Sequence, residues 1–206
     1  MPKTITRLFD NYSDATAAVR ELETIGVSHN DISIVANNVH GEHGGVEHGG
    51  VNDHGDVSRG TSTGAVLGGA GGLLAGLGLL AIPGLGPVVA AGWLAATAVG
   101  AGIGAAGGAA TGSIVGALKN AGHTDEEADV YSEGVRRGGT LVSAKVPDAY
   151  IVEAEAVLDR STAVDATARG ADYRKAGWTR FDDTAPAYTA EEIERERSGY
   201  GVTTRY

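Results

Sequence analysis

The sequence predicts an α+β protein: a ferredoxin-like βαββαβ domain interrupted by a Gly/Ala-rich helical hairpin. Three observations carry that expectation. A β-α-β pattern sits near each end of the chain, no charged residue occurs between residues 60 and 118, and glycines recur at every fourth position inside that uncharged stretch.

The first pattern occupies 1–37. Thr4-Ile5-Thr6-Arg7-Leu8-Phe9 is β-branched and aromatic, which suits a pleated strand. Ser13 then stands as N-cap to a helix whose apolar positions Ala15, Ala18, Val19, Leu22 and Ile25 share one face, and Gly26 follows as its stop. Asp31-Ile32-Ser33-Ile34-Val35 reads as the second strand. The second pattern occupies 139–169. Residues 140–146 form a strand between Gly138-Gly139 and Pro147, and Tyr150, Ile151, Ala154, Val157 and Leu158 mark one face of a helix. Residues 163–169 are short and β-prone, and are read as the closing strand. Joined, the halves give the βαββαβ order with 38–138 inserted at the central hairpin, where closure entropy grows only slowly with loop length.

The insert has three parts: a His/Gly-rich linker at 38–60, a glycine-zipper hairpin at 61–120 and a short helix at 121–138. Thr124 and Glu127 form a capping box that opens this last helix, which ends near Gly138. Beyond the second half, 170–206 is a polar tail with scattered aromatics. Within it Thr189-Ala190-Glu191-Glu192 is a second capping box, predicting a helix over 190–198.

The strand ending in Phe9-Asp10, the helix closing at Ile25-Gly26-Val27 and the strand Asp31-Ile32-Ser33-Ile34-Val35 together resemble the bacterial general stress (heat-induced stress) protein family. So does Ala128-Asp129-Val130-Tyr131 followed by Gly138-Gly139-Thr140-Leu141-Val142. The resemblance covers the two α/β halves and, more loosely, the glycine-rich centre. It implies a role in general stress tolerance and brings no catalytic signature with it.

Gly64, Gly68, Gly72 and Gly76 form one row; Gly100, Gly104, Gly108, Gly112 and Gly116 form another. Glycines four apart line one side of a helix and let a second helix approach until backbones touch. In water each interior glycine costs about 0.5–1 kcal/mol relative to alanine, so such helices require packed neighbours. Pro83-Gly84-Leu85-Gly86-Pro87 cannot continue a helix and reads as a reversal between arms at 63–82 and 88–118. The first arm has the length of about 20 apolar residues that a bilayer demands; the second is longer than a core of about 30 Å needs. Arg59 and Lys119 flank the arms as positive-inside residues do. The expected function is a non-enzymatic stress protein that forms a homo-oligomer through the hairpin, in contact with membrane lipid on the cytoplasmic side of the inner membrane. A soluble homo-oligomer with the hairpins in a shared core is the alternative. A membrane channel is a further one, which the lack of ionisable residues in the arms disfavours.

The remaining chemistry is sparse. Among 206 residues, 33 are glycine, only 5% are aromatic and none is cysteine, so close backbone packing replaces bulky side chains and thiol chemistry is excluded. A net charge of −10 argues against a nucleic-acid partner. The opening residues carry no secretory signal pattern, which points to the cytoplasm as the starting compartment. His40, His43, His48 and His54 lie among carboxylates and glycines; such a set takes a divalent transition metal such as Zn, Ni or Cu, which would make the segment a metal buffer. Its spacing matches no structural zinc signature, so a polar linker is the preferred reading. No cofactor is expected, and no P-loop, nucleophile elbow or HExxH motif occurs. His29 and His123 read as isolated residues beside turns, and Trp93 as a packing residue.

Overall fold

The computed structural model describes residues 2–42, 77–97, 114–160 and 162–199. The protein is α+β. In chain order, β1 (Lys3–Phe9), α1 (Tyr12–Thr24) and β2 (Ile32–Asn37) precede a β-hairpin of β3 (Gly78–Ile82) and β4 (Gly86–Ala91). Then follow α2 (Ile114–Asn120), α3 (Asp125–Arg136), β5 (Thr140–Val146), α4 (Ile151–Arg160), the short β6 (Ala163–Val164), α5 (Ala166–Lys175) and α6 (Ala190–Gly199). The strands make one six-stranded sheet in the order β3-β4-β2-β5-β1-β6, with every neighbouring pair antiparallel. The two ends of the chain therefore share a sheet, with β5 between β1 and β2.

Alternation along the strands sends side chains to two faces. Ile5, Phe9, Ile34, Val142 and Val146 pack with Val19 and Leu22 of α1 and with Ala154, Val157 and Leu158 of α4. The opposite face carries Leu8, Val35 and Leu141, buried with Leu118 of α2, Tyr131 and Val135 of α3, Val88 of β4 and Leu94. Antiparallel sheets commonly leave one face to water. Here residues from the insert cover it, so the sheet is the middle of three layers.

The helix ends follow local chemistry. In α3, Thr124 N–H donates to Glu127 Oε2 at 2.9 Å and Thr124 Oγ1 accepts from Glu127 N–H at 3.2 Å, the reciprocal box expected of that pair. In α6, Thr189 and Glu192 repeat it at 2.8 and 3.3 Å. Gly26 closes α1, with Val27 N–H bonded to the Leu22 carbonyl at 3.0 Å. The N-cap of α1 is Asn11 rather than Ser13, because helical hydrogen bonding already begins with Ala15 N–H to the Asn11 carbonyl.

Two stretches depart from expectation. Helical arms over 63–82 and 88–118 are incompatible with β3 and β4, which occupy 78–82 and 86–91 as strands. The reversal at Pro83-Gly84-Leu85 is where the sequence put it, but it joins strands. The competing interaction is the open edge of β2: β4 pairs along it from Ile34↔Ala91 to Asn37↔Val88 and satisfies backbone groups that a helix would leave bare. The glycine rows stop at Gly76 and resume at Gly100, so only apolarity favours a helix over 78–91, and the tertiary pairing outweighs it. Residues 93–97 then turn helical, as does α2 further on. The second departure is 163–169. Only Ala163 and Val164 pair with β1, because Asp165 caps a helix by accepting from Ala168 N–H at 2.9 Å, which draws Ala166 onward into α5.

Candidate functional site

The second face of the sheet carries a row of hydroxyls. Thr6, Ser143 and Ser33 are direct cross-strand neighbours on β1, β5 and β2. Thr6 Oγ1 and Ser143 Oγ lie 2.7 Å apart, and Ser33 Oγ accepts from Leu94 N–H at 2.9 Å. The latter bond depends on Gly92, whose φ is +85° and whose absent Cβ would fall 2.0 Å from the Ile32 carbonyl oxygen. Beside this row Lys145 Nζ lies 4.2 Å from the centre of the Trp93 ring, so Trp93 faces a cation as well as the core.

His123 completes the row at the β1 end. Its Nε2 is 2.7 Å from Thr6 Oγ1, its Nδ1 is 3.7 Å from Glu127 Oε2, and its ring meets Tyr131 edge to face at 5.7 Å. Tyr131 in turn donates its phenol to the Thr6 carbonyl at 3.1 Å. Burial pushes the His123 imidazolium below its ordinary pKa, against the pull of Glu127. Hydrogen bonding from the Thr124 backbone holds the Glu127 carboxyl below the usual carboxylate range. A neutral ring with Nδ1–H turned to Glu127 accepts the Thr6 hydroxyl at Nε2. Hydroxyl, imidazole and carboxylate thus stand in the order of a nucleophilic relay. Thr6 and Ser143, however, are only 1% and 0% exposed, so a substrate carbonyl does not reach either oxygen in this fold. What the chain does is fasten the residues after α2 to β1 and β5.

A second polar cluster joins α3 to the C-terminal residues. Glu133, 0% exposed, accepts from Arg137 Nε at 2.7 Å and faces Arg136 Nη1 at 3.5 Å. Arg137 Nη1 donates to Glu196 Oε2 at 2.8 Å, and Arg136 Nη2 to the Pro186 carbonyl at 2.9 Å. The Arg136 guanidinium lies over Tyr188 at 4.7 Å and that of Arg137 over Tyr173 at 4.3 Å. Burial works against the charge of Arg137, but the Glu133 hydrogen bond and carboxylate, with Tyr188 and Glu196, hold its pKa above the ordinary guanidinium value. Nearby, Arg197 Nη1 donates to the Gly138 carbonyl at 2.9 Å and Nη2 to Asn11 Oδ1 at 3.0 Å. Residues 170–199 are therefore bound into the fold: Tyr173 and Ile193 are buried, and Asp183 and Ala187 lie across Gly84 and Gly86, where an added Cβ would come within 2.7 Å of each.

Of the metal-binding candidates only His40 lies among the described residues, exposed in the turn after β2; His43, His48 and His54 lie outside them. The described residues hold no cluster of His, Cys, Asp or Glu suited to a metal ion. Of the zipper glycines Gly116 lies half-buried in α2, while Gly64, Gly68, Gly72, Gly76, Gly100, Gly104, Gly108 and Gly112 lie outside the described residues. Among the described residues no helix is long and apolar enough to cross a membrane. His123, far from isolated, anchors the polar row. Its only local signal was Glu127 at i+4; Thr6 is 117 positions away. For Arg136 and Arg137, nothing nearby in sequence announces Glu196 or Tyr188. No family model, no curated protein and no solved structure matches the chain.

Proposed function

We propose that this chain is a non-enzymatic general stress protein that self-associates through the glycine rows of its insert, at or in the inner membrane on the cytoplasmic side. The α+β body is read as ferredoxin-like, supported by the order β2-β5-β1-β6 among its four flanking strands, with β3 and β4 added at the β2 edge. The observation that carries the functional reading is the run at 60–118, which has no charge and two rows of glycine at four-residue spacing. The body supports it by holding both approaches to the second row. Leu94 is tied to Ser33 before it, and His123 to Thr6 after it. A rigid base of this kind lowers the entropy lost when helices between those points pack together.

One observation favours the soluble alternative. Residues 78–91 lie in the sheet as β3 and β4, which shortens the uncharged stretch left for a first spanning arm. Fractionation of cells into membrane and soluble material separates the two readings. Self-association through the rows is tested with Gly104→Leu and Gly108→Leu, which put a side chain where two backbones meet. Helix propensity alone predicts unchanged or tighter particles, whereas row packing predicts a clash of about 1–3 kcal/mol per contact. Mass photometry is expected to show smaller or mixed particles for both variants and wild-type particles for Ala98→Leu. Wild-type assembly by the two row variants would remove the support for this reading.

A further inference from the structure

The outer edge of β3 pairs with no other described strand, and its sequence, Gly78-Leu79-Leu80-Ala81-Ile82, carries none of the devices that normally blunt an edge. It has no lysine, no proline and no charge, and Leu79 is 65% exposed. The direction of its backbone groups follows from its neighbour. Asn38 N–H donates to the Pro87 carbonyl at 2.8 Å, so the carbonyl of Pro87 points toward β2 and away from β3. In an antiparallel strand a residue turns both its backbone polar groups to the same side. Ala81, opposite Pro87, therefore turns its N–H and C=O outward, and so does Leu79, opposite Val89. The outward groups lie symmetrically on either side of Leu80.

We infer that this edge is an interface between two copies of the chain, which pair β3 to β3 antiparallel about a two-fold axis at Leu80. A second copy fits because the pattern is its own complement. Leu79 of one copy faces Ala81 of the other, each of the two pairs exchanges two hydrogen bonds, and Leu80 faces Leu80. No like charges meet, since β3 lies within the uncharged stretch 60–118. The result is a sheet twice as wide, continuous across the axis. This interface is separate from the glycine rows and does not rest on them.

The absence of native cysteine makes the register directly readable. Leu80→Cys places two thiols opposite each other at a spacing a disulfide tolerates, about 4.5 Å between Cα atoms. Leu79→Cys alone leaves its thiols diagonal, with Cα atoms about 7–8 Å apart, too far for a bridge. Mild oxidation followed by non-reducing electrophoresis is expected to give about tenfold more covalent dimer for L80C than for L79C or A81C alone. Mixing L79C with A81C protein restores the bridge. In a Gly104→Leu background the L80C dimer persists, which separates this interface from the zipper. Leu79→Lys, at an exposed position, is expected to dissociate the pair without oxidation. Three results would overturn the inference: no bridge in L80C, equal bridging by L79C and L80C, or unchanged particle mass for Leu79→Lys. Occupation of the edge by residues 43–76 of the same chain would appear as the first.

Discussion

Thr6 Oγ1 and His123 Nε2, separated by 117 positions in the chain, share a 2.7 Å hydrogen bond that joins β1 to the loop in front of α3. Thr6 also lies 2.7 Å from Ser143 Oγ, so its hydroxyl can donate to a neutral Nε2 or accept from a protonated one; what protonation costs is the burial of the imidazolium charge. Protonating the ring therefore opposes the fold.

The pH dependence follows in sign. Burial holds the folded pKa of His123 below the unfolded value of about 6.5, so the unfolded chain binds more protons between the two values. This contribution to stability is complete above about pH 6.5 and is lost as pH falls toward the folded pKa. Glu127 opposes that loss and Arg7 adds to it, while burial pushes the Tyr131 phenol up and keeps it neutral in this range. Urea unfolding from about pH 7.5 down to 5 is expected to show stability falling in the wild type, with a flatter curve for His123→Gln. Parallel curves would show that another group is responsible.

Glu133→Gln removes the carboxylate that faces two buried guanidinium groups. Breaking one partner of a buried pair costs about 3–5 kcal/mol, since the remaining charge stays out of water. Glu196 and the rings of Tyr173 and Tyr188 retain part of the stabilisation of Arg137, so the lower end, about 3 kcal/mol, is expected. Chemical denaturation checks the value. A loss below about 1 kcal/mol would mean that the aromatic faces suffice.

Gly92→Ala tests the close approach of the second layer. A left-handed backbone costs a residue with a side chain about 1–3 kcal/mol before any contact is counted. The new Cβ would also press on the Ile32 carbonyl oxygen and on Ser33 Oγ. We expect a lowered melting temperature together with faster hydrogen exchange at Leu94, whose N–H bonds to Ser33. Unchanged exchange at Leu94 would place the strain elsewhere.

Elements whose signals are local were legible from sequence. The Thr124–Glu127 and Thr189–Glu192 boxes located α3 and α6, and β1, β2 and β5 follow from β-branched runs between breakers. The hairpin at 78–91 lies between the two glycine rows, and its apolar residues suit a buried helix as well as a strand. What decided it was the open edge of β2, a partner no window around residue 80 contains. Asp165 falls inside the stretch 163–169 that reads as a strand, which hides its role as a cap. The polar clusters were illegible for a related reason. His123 with Thr6, and Arg137 with Glu196, are pairs made by topology, and a single sequence records composition along the chain and not across the sheet.

The place of β1 between β5 and β6 has a consequence for how the protein is made. Translation delivers β1 first, but both of its partners lie beyond residue 139. At roughly 5–20 residues per second the nascent strand waits on the order of ten seconds with its backbone unpaired and Leu8 and Phe9 uncovered. The same delay leaves β2 without β5 while the uncharged insert emerges from the ribosome behind it. Occupancy by a holding chaperone is therefore expected to be greatest on nascent chains that end between the insert and residue 140. It should fall once residues 140–164 are out and the sheet can close.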